Sequence, residues 1–261
     1  MKMEDIKSVR KVILYSGGFD STCVLADLVK SASENDTIVA VTIQHQLTGV
    51  SKLRREYESQ IMAIRELRKK FPDVTLIHEI IQVNSQWNSG ETFNSRGLSQ
   101  PIFWICNLIP LLEDGDEVYI GYNKDDQALL HEDNIRGMWN HMLKIQEYKN
   151  IQINFPLKYF TKTDVLKYII EEYDFLIEAC ISCENDFYKG NEVCGECVPC
   201  THLKQTLFNL SICSTDIVAN RAKSMLRELF KIEITITDLK QDKVEKSVEE
   251  PYNNDNIITV E

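Results

Sequence analysis

Short apolar runs alternate with longer amphipathic ones along most of this chain. "KVILYS" (11–16), "DTIVAVTIQH" (36–45), "VTLIHEIIQV" (74–83), "DEVYIGYN" (116–123) and "IQINFPL" (151–157) are compact and predict five buried strands. Between them, "DSTCVLADLVKSA" (20–32), "SKLRREYESQIMAIRELRKKF" (51–71), "QPIFWICNLIPLL" (100–112), "DNIRGMWNHMLKIQEY" (133–148) and "TKTDVLKYIIEEYD" (161–174) predict helices. Pro72 closes the second helix, and Thr161 is placed to cap the fifth. Alternation of this kind predicts an α/β chain: a mainly parallel, doubly wound, Rossmann-like sheet with helices on both faces. The stretch 84–99 is polar and rich in Gly, Ser and Asn, the composition of a loop. From Asp238 onward the chain is charged and weakly periodic, as a disordered tail would be. The expected organisation is an α/β domain over 1–175, a smaller helical region packed on it over 176–237, and the tail over 238–261.

Composition narrows the function classes. The 261 residues carry a net charge of −11, which argues against a broad basic face for nucleic acid. The amino-terminal "MKMEDIKSVR" is too charged for a signal peptide, and the apolar runs are too short to span a bilayer. A cytoplasmic chain without a membrane partner is expected. In that setting the eight cysteines read as metal ligands or core residues rather than disulfides.

Candidate chemistry begins where the first strand ends. "YSGGFDST" places Ser16, Gly17, Gly18, Phe19, Asp20, Ser21 and Thr22 at a strand-to-helix turn. Ligands of open parallel sheets sit beyond the carboxyl ends of the strands. Glycines there allow tight turns and close approach, and the amides and helix N-terminus form an anion nest with Ser16, Ser21 and Thr22 as further donors. The turn is neither a Walker A loop nor a G-x-G-x-x-G fingerprint. Asp20 would repel a phosphate unless a cation lies between them, so Mg2+ is implied. A Ser/Gly turn with Asp20 as an ordinary cap is the bland alternative.

The segment resembles the pyrophosphate loop of the ATP-pyrophosphatase (PP-loop) superfamily. The resemblance implies an adenine nucleotide alpha hydrolase-like fold. It further implies that the loop grips the β,γ-pyrophosphate of ATP while a substrate oxygen attacks the α-phosphate, with Asp20 and Ser21 central to catalysis. It places adenine at the end of the second strand, around Thr42, Gln44 and His45. A basic residue among Lys52, Arg54, Arg55 and Arg96 is expected to neutralise charge at phosphorus, unless these form a solvated surface.

The second constellation is Cys183-x10-Cys194-x2-Cys197-x2-Cys200. Four thiolates at this spacing suit a closed tetrahedral zinc site, with Gly195 easing the turn. An iron–sulfur cluster is the rival, and buried reduced thiols the bland reading. Loop and cysteines together resemble the 7-cyano-7-deazaguanine synthase family of queuosine biosynthesis, whose zinc site reads C-x(n)-CG-x-C-x2-C. "IGYNKDD" (120–126) resembles that family's "GVNxxD", matching Gly121, Asn123 and Asp126. "FPLKYFTKTDVLKYI" (155–169) resembles its "PLxxLxKxEI". The resemblance spans roughly 10–210. It implies ATP, Mg2+ and structural Zn2+, a 7-carboxy-7-deazaguanine substrate with ammonia or another amine as acceptor, and a homodimer. Arg96, Asn123, Asp125 and Asp126 are the candidate substrate-pocket residues. The family's "SGYPDCR" is replaced here by "QALLHEDNIR" (127–136), and its "PGRN" by "NSRGLSQP" (94–101). These departures fit a divergent member, of the kind found in phage or anti-phage defence operons, which delivers the activated deazapurine to another acceptor such as a protein amine. Other functions compatible with the loop are tRNA thiolation or lysidine formation, and non-catalytic nucleotide binding.

Smaller expectations complete the reading. Trp87, Phe93 and Trp104 are candidate base-stacking residues, with core packing favoured for Trp104. His131, Glu132 and Asp133 are candidate pocket residues or a helix cap, with the cap favoured for Asp133. His202 is surplus to four sulfurs. Cys23, Cys106 and Cys213 are expected in the core, and a thioester role for Cys23 or Cys180 has no support in the pattern.

Overall fold

The structure is a computed structural model that describes residues 9–45, 50–83, 100–180, 183–185, 193–214 and 216–232. Five strands carry the fold: β1 (Arg10–Leu14), β2 (Thr37–His45), β3 (Thr75–Val83), β4 (Glu117–Ile120) and β5 (Gln152–Asn154). They form one sheet in the order β3-β2-β1-β4-β5, and every pairing is parallel. Chain order runs outward from β1 to β3, then returns to β4 on the other side of β1. The order therefore reverses between β1 and β4, and the crevice beyond their carboxyl ends is where such sheets bind ligands.

Strand periodicity sorts the core into two layers. Ile13, Tyr15, Ile38 and Ala40 face α1 (Phe19–Lys30), α2 (Val50–Lys70) and α5 (Lys162–Glu172). Val12, Val39, Val41, Val118 and Ile120 face α3 (Gln100–Leu108) and α4 (Glu132–Ile145). This is the doubly wound arrangement the alternation predicts. Two further helices, α6 (Val198–Cys213) and α7 (Asp216–Phe230), bury Leu203, Leu207, Leu210, Val218 and Leu226 in the first layer's cluster. The carboxyl-terminal helices therefore share a core with α1 and α5.

The expected elements all form, with shorter strands than the apolar runs. β4 stops at Ile120 and β5 at Asn154, because the following residues turn away to make loops over the crevice. The third helix ends in a 3-10 turn at Ile109–Leu111 around Pro110. Thr161 caps α5 as expected, through a full capping box with Asp164. Asp133 is not a cap: His131 holds that position and makes no side-chain cap bond. Cys23 is buried as expected, but Cys106 and Cys213 are exposed, each on the solvent side of its helix. No helix among the described residues is long and apolar enough to cross a membrane. The loop at 84–99 and the tail, with Trp87, Phe93 and Arg96, lie outside the described residues.

Candidate functional site

The helix that follows the first strand starts without a side-chain cap. Gly18 is its N-cap and contributes no side chain, so the first N–H groups of α1 are left for a ligand. The contrast is with α5, where Lys162 N–H donates to Asp125 and Asp164 N–H to the Thr161 hydroxyl. The loop before α1 is nonetheless rigid. Ser16 Oγ and Ser21 Oγ lie 3.0 Å apart, Ser16 N–H donates to Ser21 Oγ at 3.3 Å, and Thr22 N–H donates to Gly18 O at 3.0 Å. Helix α2 ties the loop down from the side: Gln60 Nε2 donates to Ser16 O at 3.0 Å, and Ser59 Oγ to Gly17 O at 3.4 Å.

Two glycines set this geometry. Gly17 takes φ +83°, a left-handed turn that a side chain would strain, and a Cβ there would sit 3.0 Å from Gln60 Cγ. Gly18 is in ordinary extended backbone, so the turn's demand falls on Gly17. Gly121, just past β4, packs directly on the loop: a Cβ would meet Ser21 N at 3.0 Å and Asp20 C at 3.1 Å. Those atoms are backbone and cannot swing aside.

Asp20 is paired with Lys162, the first residue of α5. The sequence reading did not single out Lys162, although it is the lysine of the "PLxxLxKxEI"-like stretch. The residues after β4 place it. Lys162 N–H donates to Asp125 Oδ2 at 2.7 Å, and Lys124 N–H to Phe160 O at 2.8 Å, stitching this loop to the start of α5. The loop itself is an Asx-type turn: Asn123 Oδ1 accepts from Asp125 N–H at 2.8 Å, and Asp126 Oδ2 from Asn123 N–H at 2.8 Å. Asp20 Oδ1 is buried and has no hydrogen-bond partner among the described residues. That orphan oxygen fits a cation such as Mg2+, with Lys162 holding the other carboxylate oxygen.

A cavity of about 380 Å3 opens over the loop. This falls in the usual range of about 300–1,000 Å3 for small-molecule sites. Ser16, Gly18, Asp20, Ser21 and Thr42 are among its polar lining, and Leu14, Ile43, Leu53, Trp104 and Ile120 among its apolar lining. Trp104, expected in the core, is thus a wall of the cleft; the apolar face of α3 is turned toward the ligand space as well as the sheet. Gln60 also lines the cavity, and its Oε1 is buried without a partner among the described residues. Thr42 Oγ1 donates to Tyr15 O at 2.8 Å and lies 3.0 Å from His78 Nε2. Burial, then the Arg68 charge, lowers the His78 pKa, so a neutral ring that donates from Nε2 completes this bond.

Several sequence-assigned residues serve the site indirectly. Gly17 and Thr22 do not line the cavity; Thr22 is fully buried. Phe19 is a core residue, so only its backbone can reach a ligand. Gln44 is absent from the wall. Asn123 is buried and Asp125 exposed; both shape the turn, and of the acid pair only Asp126 faces the cleft. Of the basic candidates, Lys52 lines the cavity beside Glu56 (3.6 Å), Arg54 pairs with Glu58 on the outside, and Arg55 is buried and donates to Asn185 O.

The four cysteines converge. The Sγ atoms of Cys183, Cys194, Cys197 and Cys200 all lie within 4.8 Å of one another, and Cys194 and Cys200 are 3.8 Å apart. Tetrahedral zinc with Zn–S bonds of about 2.3 Å separates its sulfurs by about 3.8 Å. The set therefore fits one ion, and is too tight to enclose a four-iron cube. Cys197 is the N-cap of α6 and Cys200 sits in its first turn, where the helix dipole favours thiolates. Burial raises the Cys194 thiol, but N–H donation from Cys197 and Glu196 outweighs it and brings the pKa to about 6. Burial and the neighbouring thiols push Cys200 up, so holding all four as thiolates requires a cation. The turn expected at Gly195 is present, with φ +74°. His202 is exposed and outside the set. Cys183 and Glu184 also line the cavity over the loop, so the cysteine cluster borders the cleft.

Residues 112–211 match the family described as queuosine biosynthesis protein QueC. The matched stretch holds β4, the Asx-type turn, α5 and all four cysteines. No curated protein matches the chain. Among solved structures, it is similar to the U34-tRNA thiolase NcsA from Methanococcus maripaludis, determined with its 4Fe–4S cluster. The identity is 14% and the TM-score 0.41, over 88% of this chain and 75% of that one. It is also similar to the glutamine-dependent NAD+ synthetase from Acinetobacter baumannii in complex with ADP. There the identity is 13% and the TM-score 0.34, over 94% of this chain and 43% of the synthetase. The chain spans less than half the synthetase's length, and neither likeness bears on chemistry.

Proposed function

We propose that this chain, whose residues 112–211 match the QueC family, is a QueC-like member of the PP-loop ATP-pyrophosphatase superfamily and activates a 7-deazaguanine carboxylate by adenylation. The activated acyl group then passes to an amine, with AMP and pyrophosphate released. The observation that carries this is the uncapped start of α1, under a cavity of nucleotide size, with Asp20 and Lys162 paired at its edge. An uncapped helix start offers N–H donors and a positive field to phosphate oxygens. Lys162 adds a compact positive charge where charge develops on phosphorus. Ser16 and Ser21 hydroxyls, already oriented by each other, complete the donor set. Trp104 in the cavity lining would supply a face for a heteroaromatic ring.

The four-cysteine centre would hold a structural zinc ion, since all four ligand positions are protein sulfurs. Bound zinc would fix the wall at Cys183 and Glu184. Asp20 Oδ1, buried and without a partner among the described residues, would be the protein oxygen that holds an Mg2+ ion bound with ATP.

The deciding experiment is ATP–pyrophosphate exchange with 7-carboxy-7-deazaguanine, which reads adenylation without needing the acceptor. Acid-dependent exchange, lost in Asp20→Asn and Ser21→Ala while circular dichroism stays unchanged, supports the reading. Full exchange in either variant would sink the loop assignment.

A further inference from the structure

Helix α2 presents Lys52, Leu53, Glu56 and Gln60 to the cavity over the loop. Their spacing is that of one helix face, on which Glu56 and Gln60 lie one turn apart. Gln60 is 1% exposed, and its amide has a fixed sense. Nε2 donates to Ser16 O at 3.0 Å, and a carbonyl only accepts, so the amide cannot be flipped without losing that bond. Oε1 is thereby an acceptor held in place, and it has no hydrogen-bond partner among the described residues. Burying such an atom is costly unless a ligand or a water supplies the donor.

Glu56 places a second acceptor one turn away. It is half-buried, with Lys52 Nζ at 3.6 Å and the charge of Glu184 nearby. Burial, opposed by Lys52, raises the Glu56 carboxyl, and an N–H donor from a ligand would favour its charged form.

Two neighbouring acceptors select among ligands. The pairing edge of an adenine-type ring sets an amino donor beside a ring nitrogen that accepts, so one of the two contacts would be acceptor against acceptor. A guanine-type edge sets a ring N–H beside an amino group, and both donate. A neighbouring cavity of about 760 Å3 shares Tyr122 and Asp126 with the first. Gln127, His131 and Asn134 give it mixed donors and acceptors, so it imposes no such pattern.

We propose that Glu56 and Gln60 form an acceptor pair that reads the substrate ring through its adjacent N–H and amino donors, and so select a guanine-type acid over an adenine-type one. The assignment rests on the adenylation reading above and names residues that determine its specificity. No bond is made or broken at this pair; it holds the ring while the carboxyl group reacts.

The test compares ATP–pyrophosphate exchange with 7-carboxy-7-deazaguanine and with 7-carboxy-7-deazahypoxanthine, which lacks only the 2-amino group. The unaltered chain is expected to prefer the first in kcat/KM by about tenfold or more. Glu56→Met and Gln60→Met should each bring that ratio toward one. The ratio is the readout because a general loss of activity, such as Gln60→Met could cause by releasing Ser16 O, lowers both acids alike. A ratio near one in the unaltered chain, or a ratio that either variant leaves unchanged, overturns the assignment, while exchange itself keeps adenylation standing. Variants that instead lose discrimination between ATP and 2′-deoxy-ATP would give these acceptors to the ribose and overturn it too. Exchange with neither acid overturns both readings.

Discussion

The loop at residues 16–22 and the cluster of four cysteines are both written as short local motifs, but they are held in opposite ways. The loop is organised by the chain itself. Its carbonyls accept from Ser59 and Gln60 of α2, its two serine hydroxyls meet, and Gly121, just past β4, packs against its backbone. The cysteine cluster is held mainly by N–H groups pointing at sulfur, with Cys194 N–H donating to Cys183 Sγ at 3.4 Å and Cys197 N–H to Cys194 Sγ at 3.2 Å. The lesson is that the loop is preorganised by contacts within the chain, while the cleft lining at Cys183 and Glu184 borders four thiols that suit an ion. Helix α2 couples the two, since Arg55 and Ser59 bond the carbonyls of Asn185 and Ala179 on the cysteine side.

Breaking the ion-dependent side should have the largest effect. Structural zinc sites contribute an apparent binding energy of about 10–16 kcal/mol, much of it folding energy. Chelation, or Cys194→Ser, is expected to remove about one zinc per chain and to lower the thermal midpoint. It should also raise the KM for ATP, because Cys183 and Glu184 line the cleft. Metal analysis, calorimetry and exchange kinetics on one sample would show this. Unchanged ATP affinity in the metal-free protein would disconnect the two regions. Stoichiometric iron with visible absorption would replace zinc as the ion.

The chain-organised side should break in rate while the fold persists. Lys162→Ala leaves Asp20 without its partner and removes charge stabilisation over the loop. A fall in kcat of about 100–1,000-fold is expected, as for loss of a transition-state donor. Lys162→Arg should recover part of it. A purely structural role would instead lower the thermal midpoint and leave kcat near its starting value.

The smallest effect sharpens the comparison at the wall where the two cavities meet. Burial, opposed by the Asn123 N–H and reinforced by Asp20, raises the Asp126 carboxyl above its ordinary 3.8. The folded chain thus binds this proton more tightly than the unfolded chain. Its contribution to stability is greatest below pH 3.8 and declines as pH rises through the folded value. Asp126→Asn keeps an acceptor for Asn123 N–H and removes that decline. Thermal midpoints measured from acid to neutral pH should converge at low pH and favour the variant at neutral pH.

Much of the fold was legible because its signals are local. Period-two and period-3.6 patterns mark the five strands and most helices, and a parallel sheet follows from their alternation. The strand ends were less legible, since "YIGYN" and "INFPL" stay apolar after the ladder has ended and the chain has turned to build the crevice. At the site, "SGGFDST" and the C-x2-C-x2-C run announce themselves because each is written within a few residues, with Cys183 joining across a ten-residue spacer. Lys162, Gln60 and Trp104 do not. A lysine at a helix start, a glutamine in an amphipathic helix and a tryptophan in an apolar one have many uses, and only crossovers of the chain bring them to one cleft.

By itself, then, the sequence determined an α/β chain, a glycine-rich turn after its first strand and the spacing of four cysteines, properties written within short stretches of the chain. The tertiary structure decided what surrounds them. It paired Asp20 with Lys162, turned Asp125 into a tie and Asp126 into a wall, and opened a second cavity behind residues 127–136. The physical reason is distance along the chain: Asp20 and Lys162 are 142 residues apart, and no local pattern encodes a contact that forms only when β1 and β4 lie side by side.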